Sequence, residues 1–319
     1  MNVLVLGGSS FVGRAIVWSL YERGHDVTVF NRGVTPTDLP APITRLVGDR
    51  RSDLSALSGL SFDVTIDAIA YQRRDVELFY GALGDRAGYY QQISTISAYE
   101  VPTSPGADES TPLRQLGEID PNAPVTGVTY GPLKAECERA ARELFGDSVG
   151  VLRPTYIVGA HDHTLRFPYW VARLQRGGRV AFPGPRTHPL QWIDARDLGE
   201  FATRLAEERF AGAVHVLQSS PPLSFGETLE RIAAHVAPSG TTLVEIDPER
   251  LSDPSWRQKF PLWTGALPDN ALTFSNAGAL SLGLTLRSLE ESVDDTAAWF
   301  GSREWPAQWL VNDGDLLAE

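Results

Sequence analysis

The hydrophobic positions near the start of the chain change their period twice within about 30 residues, a span typical of one strand-helix-strand unit. Residues 3–6 form an unbroken aliphatic run, which predicts a strand buried on both faces of a parallel sheet. Apolar or small residues then recur at helical spacing, at Val12, Ala15, Ile16, Ser19 and Leu20. A second apolar run, 27–30, predicts the next strand, so the opening indicates a strand, a helix and a strand.

Strand and helix patterns continue to alternate along the first half of the chain. We predict strands at 43–49, 62–70, 88–97 and 149–159, and helices at 75–83 and 131–145. This alternation is typical of an α/β fold with a doubly wound parallel sheet, the Rossmann architecture. Residues 102–129 are rich in proline, glycine and acidic residues, which predicts a long surface loop bordering the active site.

A glycine turn separates the first predicted strand from the first predicted helix. Gly7 and Gly8 would let the backbone approach a pyrophosphate, and Gly13 would let the helix pack closely on the sheet. The free N–H groups of the helix N-terminus would face the phosphates. The predicted cofactor-binding residues of this turn are Gly7, Gly8, Ser9, Ser10, Phe11, Val12 and Gly13. A glycine turn in another kind of α/β protein is the alternative.

The alternation ends beyond residue 159, which suggests two unequal parts. We predict an NAD(P)-binding Rossmann domain over 1–160, to which 190–218 returns, and a smaller substrate-binding domain formed mainly by 161–319.

Composition and charge narrow the choice of partners. The net charge of −12, without a basic run, disfavours nucleic acid and anionic membranes and favours a small-molecule substrate. The single cysteine, Cys137, excludes an internal disulfide and a cysteine-based metal cluster. The chain has neither an 18-residue apolar run nor a charged leader, so we expect a cytoplasmic protein; a homodimer is left open.

Tyr130 and Lys134 lie four residues apart at the start of the predicted helix 131–145. Side chains at this spacing share one helix face, and a nearby ammonium group favours the phenolate form of a tyrosine. Such a tyrosine can exchange a proton with an alcohol oxygen while hydride moves at the adjacent carbon. The same spacing also occurs by chance on solvated helices, and its place after a predicted strand of a dinucleotide fold favours catalysis.

The tip of the second strand reads Asn31-Arg32. NAD-binding enzymes usually carry a carboxylate here for the ribose 2′-hydroxyl, whereas an arginine accommodates the 2′-phosphate of NADP. The nearest carboxylate, Asp26, precedes the strand. We therefore predict Asn31 and Arg32 as cofactor contacts and NADP(H) as the preferred cofactor, with NAD(H) as the alternative; an exposed turn arginine is the other interpretation.

Several segments occur in the order of a known family. They are "GGSSFVG", "ISTISAY", "YGPLK", "LRPTYIVG", "QWIDARDL" and "SLEESVDDTAAWF". Together they resemble the extended short-chain dehydrogenases and reductases, the NAD-dependent epimerase/dehydratase group. Within that group, "GGSSFVGR" and "VTVFNRG" are most similar to the branch of the chloroplast stem-loop-binding proteins and related bacterial reductases.

The resemblance implies roles for particular residues. It implies Thr95, Tyr130 and Lys134 as the catalytic set, with Lys134 also holding the nicotinamide ribose, and it implies an adenine contact for Asp49. Taken alone, Thr95 is an ordinary β-branched strand residue, and Asp49 is equally consistent with a solvated loop carboxylate.

The chain also departs from the family pattern at several positions. Ser10 occupies the place of the middle glycine of the turn, so a different backbone path is expected there. Ile96 and Ser97 stand where the dehydratases carry an acidic pair, which disfavours dehydration. Tyr156 stands where sugar-nucleotide epimerases commonly carry an asparagine that holds the diphosphate.

We therefore predict an NADP(H)-dependent oxidoreductase that reduces a carbonyl, or oxidises a secondary alcohol, of a small metabolite. The alternatives are an NAD-dependent sugar-nucleotide epimerase and a non-enzymatic dinucleotide-sensing or RNA-binding module. No metal site is predicted, because His161 and His163 are better explained by a loop that lines the substrate cleft.

Overall fold

The structure is a computed structural model that describes residues 1–251, 260–263, 267–268, 270–301 and 303–305. Its strands are β1 (Asn2–Leu6), β2 (Asp26–Asn31), β3 (Thr44–Val47), β4 (Val64–Asp67), β5 (Tyr89–Ile93), β6 (Gly150–Pro154), β7 (Tyr156–Val158), β8 (Arg179–Pro183), β9 (Pro189–Leu190), β10 (Trp192–Asp194), β11 (Gly212–Val216), β12 (Leu223–Ser224) and β13 (Thr242–Ile246). Seven of these described strands form one sheet in the order β11-β6-β5-β4-β1-β2-β3. All neighbouring strands in it are parallel, which confirms the predicted doubly wound α/β sheet.

Helices cover both faces of this sheet. They are α1 (Phe11–Glu22), α2 (Arg73–Leu83), α3 (Tyr130–Phe145), α4 (Arg166–Arg176), α5 (Ala195–Glu207), α6 (Phe225–Val236), α7 (Ala277–Ser281) and α8 (Leu289–Phe300). On one face, Val3 and Val5 pack with residues of α1 and α5; on the other, Leu4 and Leu6 pack with residues of α2 and α3. The aliphatic run is unbroken because successive side chains enter opposite cores.

A further apolar cluster lies under α4, α6 and α8, away from the two faces of the large sheet. Trp170, Phe182 and Phe225 belong to its buried centre. The described strand pair β8 and β13 is parallel and forms a separate small sheet beside it. The predicted division at residue 160 stays a prediction.

The predicted single strand 149–159 is wrong in one respect, because the structure divides it in two. β6 pairs with β5 and β11 in the large sheet, whereas β7 pairs with β10. Pro154 ends β6, and the break falls at Thr155. A proline has no N–H to continue the ladder, and the change of direction brings Thr155 and Tyr156 to the cavity described next.

Candidate active site

A cavity of about 690 Å³ opens at the carboxyl ends of the central strands. This edge is where ligands bind in open parallel sheets. Its wall includes predicted residues of the glycine turn and of the proposed catalytic set: Gly7, Ser10, Phe11, Val12, Gly13, Thr95, Tyr130 and Lys134. The wall does not include Gly8, Ser9, Asn31, Arg32 or Asp49 among the described residues. The fold thus brings together segments that are far apart in the sequence.

A side chain at any of the three glycines of the turn would lie too close to its neighbours, and Gly7 and Gly13 show the shortest contacts. Gly7 has a φ of +87°, and a Cβ there would lie 2.3 Å from the Cγ2 of Ile69. A Cβ on Gly13 would lie 2.1 Å from the carbonyl oxygen of Gly7. Gly13 therefore allows the first turn of α1 to approach the end of β1, as predicted from its position.

The N-terminus of α1 is open toward the cavity. Ser10 is the N-cap residue, and its side chain makes no capping hydrogen bond. Its backbone is extended, with φ −144° and ψ 155°, a conformation that any residue adopts, so serine fits at the place of the middle glycine. The first N–H groups of α1 are thereby available to an anion, and they fit the pyrophosphate of a dinucleotide.

Asn31 has a structural function in the turn after β2. Its Nδ2 donates to the Ser9 hydroxyl, and its Oδ1 accepts a hydrogen bond from the Gly33 N–H at 2.8 Å. The side chain thus connects the glycine turn to the end of β2. Arg32 is exposed, and no described residue forms a hydrogen bond or ion pair with it.

Asp49 lies in the turn after β3 and is half-buried. Its Oδ1 accepts a hydrogen bond from the Arg51 N–H at 2.8 Å, so the carboxylate stabilises its own turn. Its adenine contact stays a prediction.

Thr95 and Tyr130 approach each other across the cavity. Thr95 follows β5, and its hydroxyl accepts a hydrogen bond from the Ser97 N–H at 3.1 Å. Tyr130 is the first residue of α3, and the Thr95 side chain is near enough to its hydroxyl to lower the pKa of that group. An oxygen atom of a ligand placed beside these two hydroxyl groups could contact both of them.

The protonation state of Tyr130 depends mainly on its burial. Burial raises its pKa, while the nearby Thr95 side chain and the positive charge of Arg166 lower it. Lys134, predicted to lower this pKa, lowers the pKa of Tyr71, where burial is the larger effect and raises it. The effect of Lys134 on the pKa of Tyr130 stays a prediction.

Lys134 is held by the backbone of two strand ends. It is 2% exposed, and its Nζ donates hydrogen bonds to the carbonyl oxygens of Ala70 at 2.8 Å and Ile93 at 2.7 Å. The Nζ also lies 5.3 Å from the centroid of the Tyr71 ring. An ammonium group has three donors, so one N–H is left for a ligand such as a ribose hydroxyl.

Sequence reasoning missed many residues of the cavity wall. Among those with polar side chains are Tyr71, Arg114, Thr155 and Arg166. The Thr155 hydroxyl is buried and has no hydrogen-bond partner within the described residues, which fits a site that a ligand completes. Arg166 begins α4, where a cation opposes the helix dipole. That unfavourable position is a signal that could have identified it, had α4 been predicted.

The two loop histidines lie on different cavities. His163 lines the large cavity, and His161 lines a smaller one beside α1 and α5. Within the described ranges, histidine, cysteine and acidic side chains form no group of three that could hold a metal ion. No described helix is long and apolar enough to cross a membrane.

Sequence comparison finds known proteins that are distantly similar to most of this chain. Over 241 residues the chain is 25% identical to the chloroplast stem-loop binding protein of 41 kDa b of Arabidopsis thaliana, covering 70% of this chain and 60% of that protein. Over 261 residues it is 25% identical to the 2-alkyl-3-oxoalkanoate reductase of Stenotrophomonas maltophilia, covering 74% of this chain and 76% of that protein. No protein-family model matches the chain.

Solved structures share the fold over nearly the whole chain. The Bordetella bronchiseptica enzyme WbmH, in complex with NAD+, superimposes with a TM-score of 0.72 at 15% identity, covering 95% of this chain and 99% of that one. The UDP-N-acetylglucosamine 4-epimerase of Bacillus cereus gives a TM-score of 0.69 at 14% identity, covering 97% of this chain and 99% of that one. The resemblance to the extended short-chain dehydrogenases and reductases, a family of NAD(P)-dependent enzymes, is confirmed. Structures as distant as these establish the fold, and the reaction is proposed below.

Proposed function

We propose that the protein is a reductase that uses NADP(H) to interconvert a carbonyl group and a secondary alcohol in a small molecule. The observation that carries this proposal is that Thr95, Tyr130 and Lys134 line the same cavity as residues of the glycine turn. The turn fits a dinucleotide, and the two hydroxyl groups fit the oxygen atom that changes its protonation state.

A bound nicotinamide exchanges hydride with the substrate carbon. The residues of the chain act on the substrate oxygen. In the direction of reduction, the Tyr130 hydroxyl gives its proton to this oxygen, the Thr95 hydroxyl orients it by a hydrogen bond, and a solvent proton restores Tyr130. Lys134 offers its remaining N–H to the nicotinamide ribose and is positioned for this by Ala70 and Ile93.

The preference for NADP(H) rests on the tip of β2. Arg32 is exposed there with its guanidinium group unpaired among the described residues, and it can form the planar, bidentate contacts that a phosphate accepts. The Asn31 amide, already bonded to Ser9 and Gly33, brings no negative charge to the tip.

A sugar-nucleotide epimerase is the second candidate, and its support is the fold shared with the Bacillus cereus epimerase. The same three residues would serve it, with the nicotinamide retained through the cycle. The name of the Stenotrophomonas maltophilia relative supports the reductase instead. An RNA-binding function, suggested by the name of the chloroplast relative, is disfavoured by the net charge of −12.

The test is the stoichiometry of the cofactor. Purified protein is incubated with NADPH and a panel of ketones, and the loss of nicotinamide absorbance is compared with the alcohol formed. We expect one NADPH consumed per alcohol and little nucleotide retained during purification. Stoichiometric NAD in the purified protein, with a sugar nucleotide converted to its epimer and no net change in absorbance, would establish the epimerase instead.

A further inference from the structure

The large cavity is cationic in a protein that is strongly anionic overall. The chain carries a net charge of −12, yet among the described residues the wall of this cavity holds Arg114, Lys134 and Arg166 against one carboxylate, Glu100. Lys134 is assigned to the cofactor in the function proposed above. The Nε of Arg114 donates a hydrogen bond to the carbonyl oxygen of Tyr99 at 2.7 Å. Arg166 is therefore the cation whose purpose the cofactor and the fold leave unexplained.

Arg166 lies near two tyrosines of the site. Its guanidinium carbon lies 5.4 Å from the centroid of the Tyr156 ring. Its charge is near enough to Tyr130 to lower the pKa of that hydroxyl, against the larger effect of burial, which raises it. Its Nε donates to the Thr164 hydroxyl at 2.9 Å. No carboxylate of the described residues pairs with it, so its terminal N–H groups can receive an anion.

The loop before α4 is built to hold Arg166 in this position. The Asp162 carboxylate is fully buried and accepts hydrogen bonds from the N–H of Thr164 at 2.9 Å and the N–H of Arg166 at 3.1 Å. His161 and Leu165 have φ of 65° and 57°, in the left-handed region that such residues rarely adopt. Strain of this kind persists where the surroundings enforce it, and here Asp162 supplies the constraint.

The mouth of the same cavity is apolar. Three of the large hydrophobic side chains that the described part of the chain exposes lie in its wall: Val101, Val128 and Leu267. Exposed apolar groups collected at one opening are typical of a ligand-binding surface. A substrate that contacts them would carry an apolar substituent as well as the group that Arg166 binds.

We propose that the substrate is an amphiphilic oxo acid whose carboxylate binds Arg166 while its carbonyl oxygen contacts Thr95 and Tyr130. This inference rests on the proposed function and adds the chemical class of the substrate. In the reduction, a C–H bond forms with hydride from NADPH, the C=O π bond breaks, and the oxygen takes the Tyr130 proton; NADPH is oxidised to NADP+. The carboxylate is unchanged and orients the carbonyl, with the apolar chain at Val101, Val128 and Leu267.

Two stable probes test the carboxylate contact: 3-hydroxyoctanoate and its methyl ester, which differ in charge at one end. With NADP+, oxidation of each is measured as kcat/KM. We expect the acid to exceed the ester by about a hundredfold, and we expect Arg166→Gln to reduce this ratio at least about tenfold, with partial recovery in Arg166→Lys. Arg74→Gln, which removes an exposed arginine absent from the cavity wall, is the matched control and should keep the ratio.

Binding separates this proposal from the proposed function. The hydroxy acid and NADPH cannot react together, so calorimetry in the presence of NADPH measures acid and ester binding without turnover. Preferential binding of the acid that Arg166→Gln abolishes supports the carboxylate site even if neither probe is oxidised, in which case the reductase proposal fails alone. Equal binding of acid and ester overturns the carboxylate site. A loss of NADPH affinity in Arg166→Gln with the acid preference intact also overturns it, since Arg166 would then serve the cofactor.

Discussion

The Nζ of Lys134 donates a hydrogen bond to the carbonyl oxygen of Ile93 at 2.7 Å and thereby joins α3 to the end of β5. Thr95 follows Ile93 by two residues, and Tyr130 precedes Lys134 by one helical turn. This buried contact connects the two elements that carry Thr95 and Tyr130. The protein itself establishes this arrangement, which is the preorganisation that the proposed proton transfer would require.

Replacing Tyr130 by phenylalanine removes the proposed proton donor and retains the ring. We expect turnover in Tyr130→Phe to fall by roughly 10² or more, with the dissociation constant of NADPH little changed. The measurements are kcat for carbonyl reduction and a fluorescence titration with NADPH.

Tyr71→Phe is the matched control for this variant, because the two rings lie 6.5 Å apart and line the same cavity. Its kcat should stay within a few-fold of the parent. If Tyr71→Phe loses more activity than Tyr130→Phe, the proton donor is Tyr71 and the assignment is wrong.

Arg32 provides a test of cofactor choice. We expect NADPH to bind at least about tenfold more tightly than NADH, a difference of about 1.4 kcal/mol, and Arg32→Ala to remove most of it. The reason is the loss of a cation that only the 2′-phosphate reaches, so the NADH affinity should hardly change. Arg45→Ala, which removes an exposed arginine from the neighbouring strand β3, controls for the general loss of charge. Equal affinities for both cofactors in the parent protein would refute the preference.

Features that depend on a local pattern of residues could be predicted from the sequence. The run at β1 predicts burial on both faces, and the structure has Val5 and Leu6 packed in opposite cores. The glycine turn is recognisable because only glycine fits at Gly7 and Gly13, and that requirement appears as a spacing. The four-residue separation of Tyr130 and Lys134 likewise placed both side chains in one cavity.

Contacts between distant segments could not be predicted in the same way. Lys134 bonds to two backbone carbonyls, and a carbonyl group has no signature in a sequence. The approach of Arg166 to Tyr130 depends on a loop that buried Asp162 fixes in an uncommon conformation. Pro154 marks the end of β6 in the sequence, but the pairing of β7 with the distant strand β10 is not visible there.

The burial of Tyr130 predicts the pH dependence of reduction. Burial raises the pKa of this tyrosine above its usual value of about 10, so the protonated form that donates the proton persists through neutral and mildly alkaline pH. We expect kcat/KM for reduction to be level from about pH 7 to 9 and to fall only above about 10. In Arg166→Gln the fall should move to higher pH, because a cation that favours the phenolate is lost. A decline in the parent protein centred near neutral pH would show that another group controls the reaction.

A buried ion pair lies directly behind the proposed catalytic strand end. Glu138 of α3 is fully buried and accepts hydrogen bonds from Arg153 of β6 and from the hydroxyl of Ser94, the residue before Thr95. Arg153 also donates to the Tyr99 hydroxyl, which lies 2.8 Å from the Nε2 of His215. The Nδ1 of His215 faces the Ser275 carbonyl oxygen at 3.0 Å and donates to it, so Nε2 accepts the Tyr99 proton. Every charge in this group is thus compensated within the protein.

Removing either Glu138 or Arg153 should therefore leave an uncompensated buried charge on its partner. We expect Glu138→Ala to lower the free energy of unfolding by about 3–5 kcal/mol, because Arg153 would remain buried without its carboxylate. Glu143→Ala is the matched control on the same helix: its side chain is 55% exposed and pairs with Arg73, and the expected loss is below about 1 kcal/mol. Urea unfolding followed by circular dichroism measures both. If the two variants lose equal stability, the Glu138–Arg153 pair does not support the fold as its burial implies.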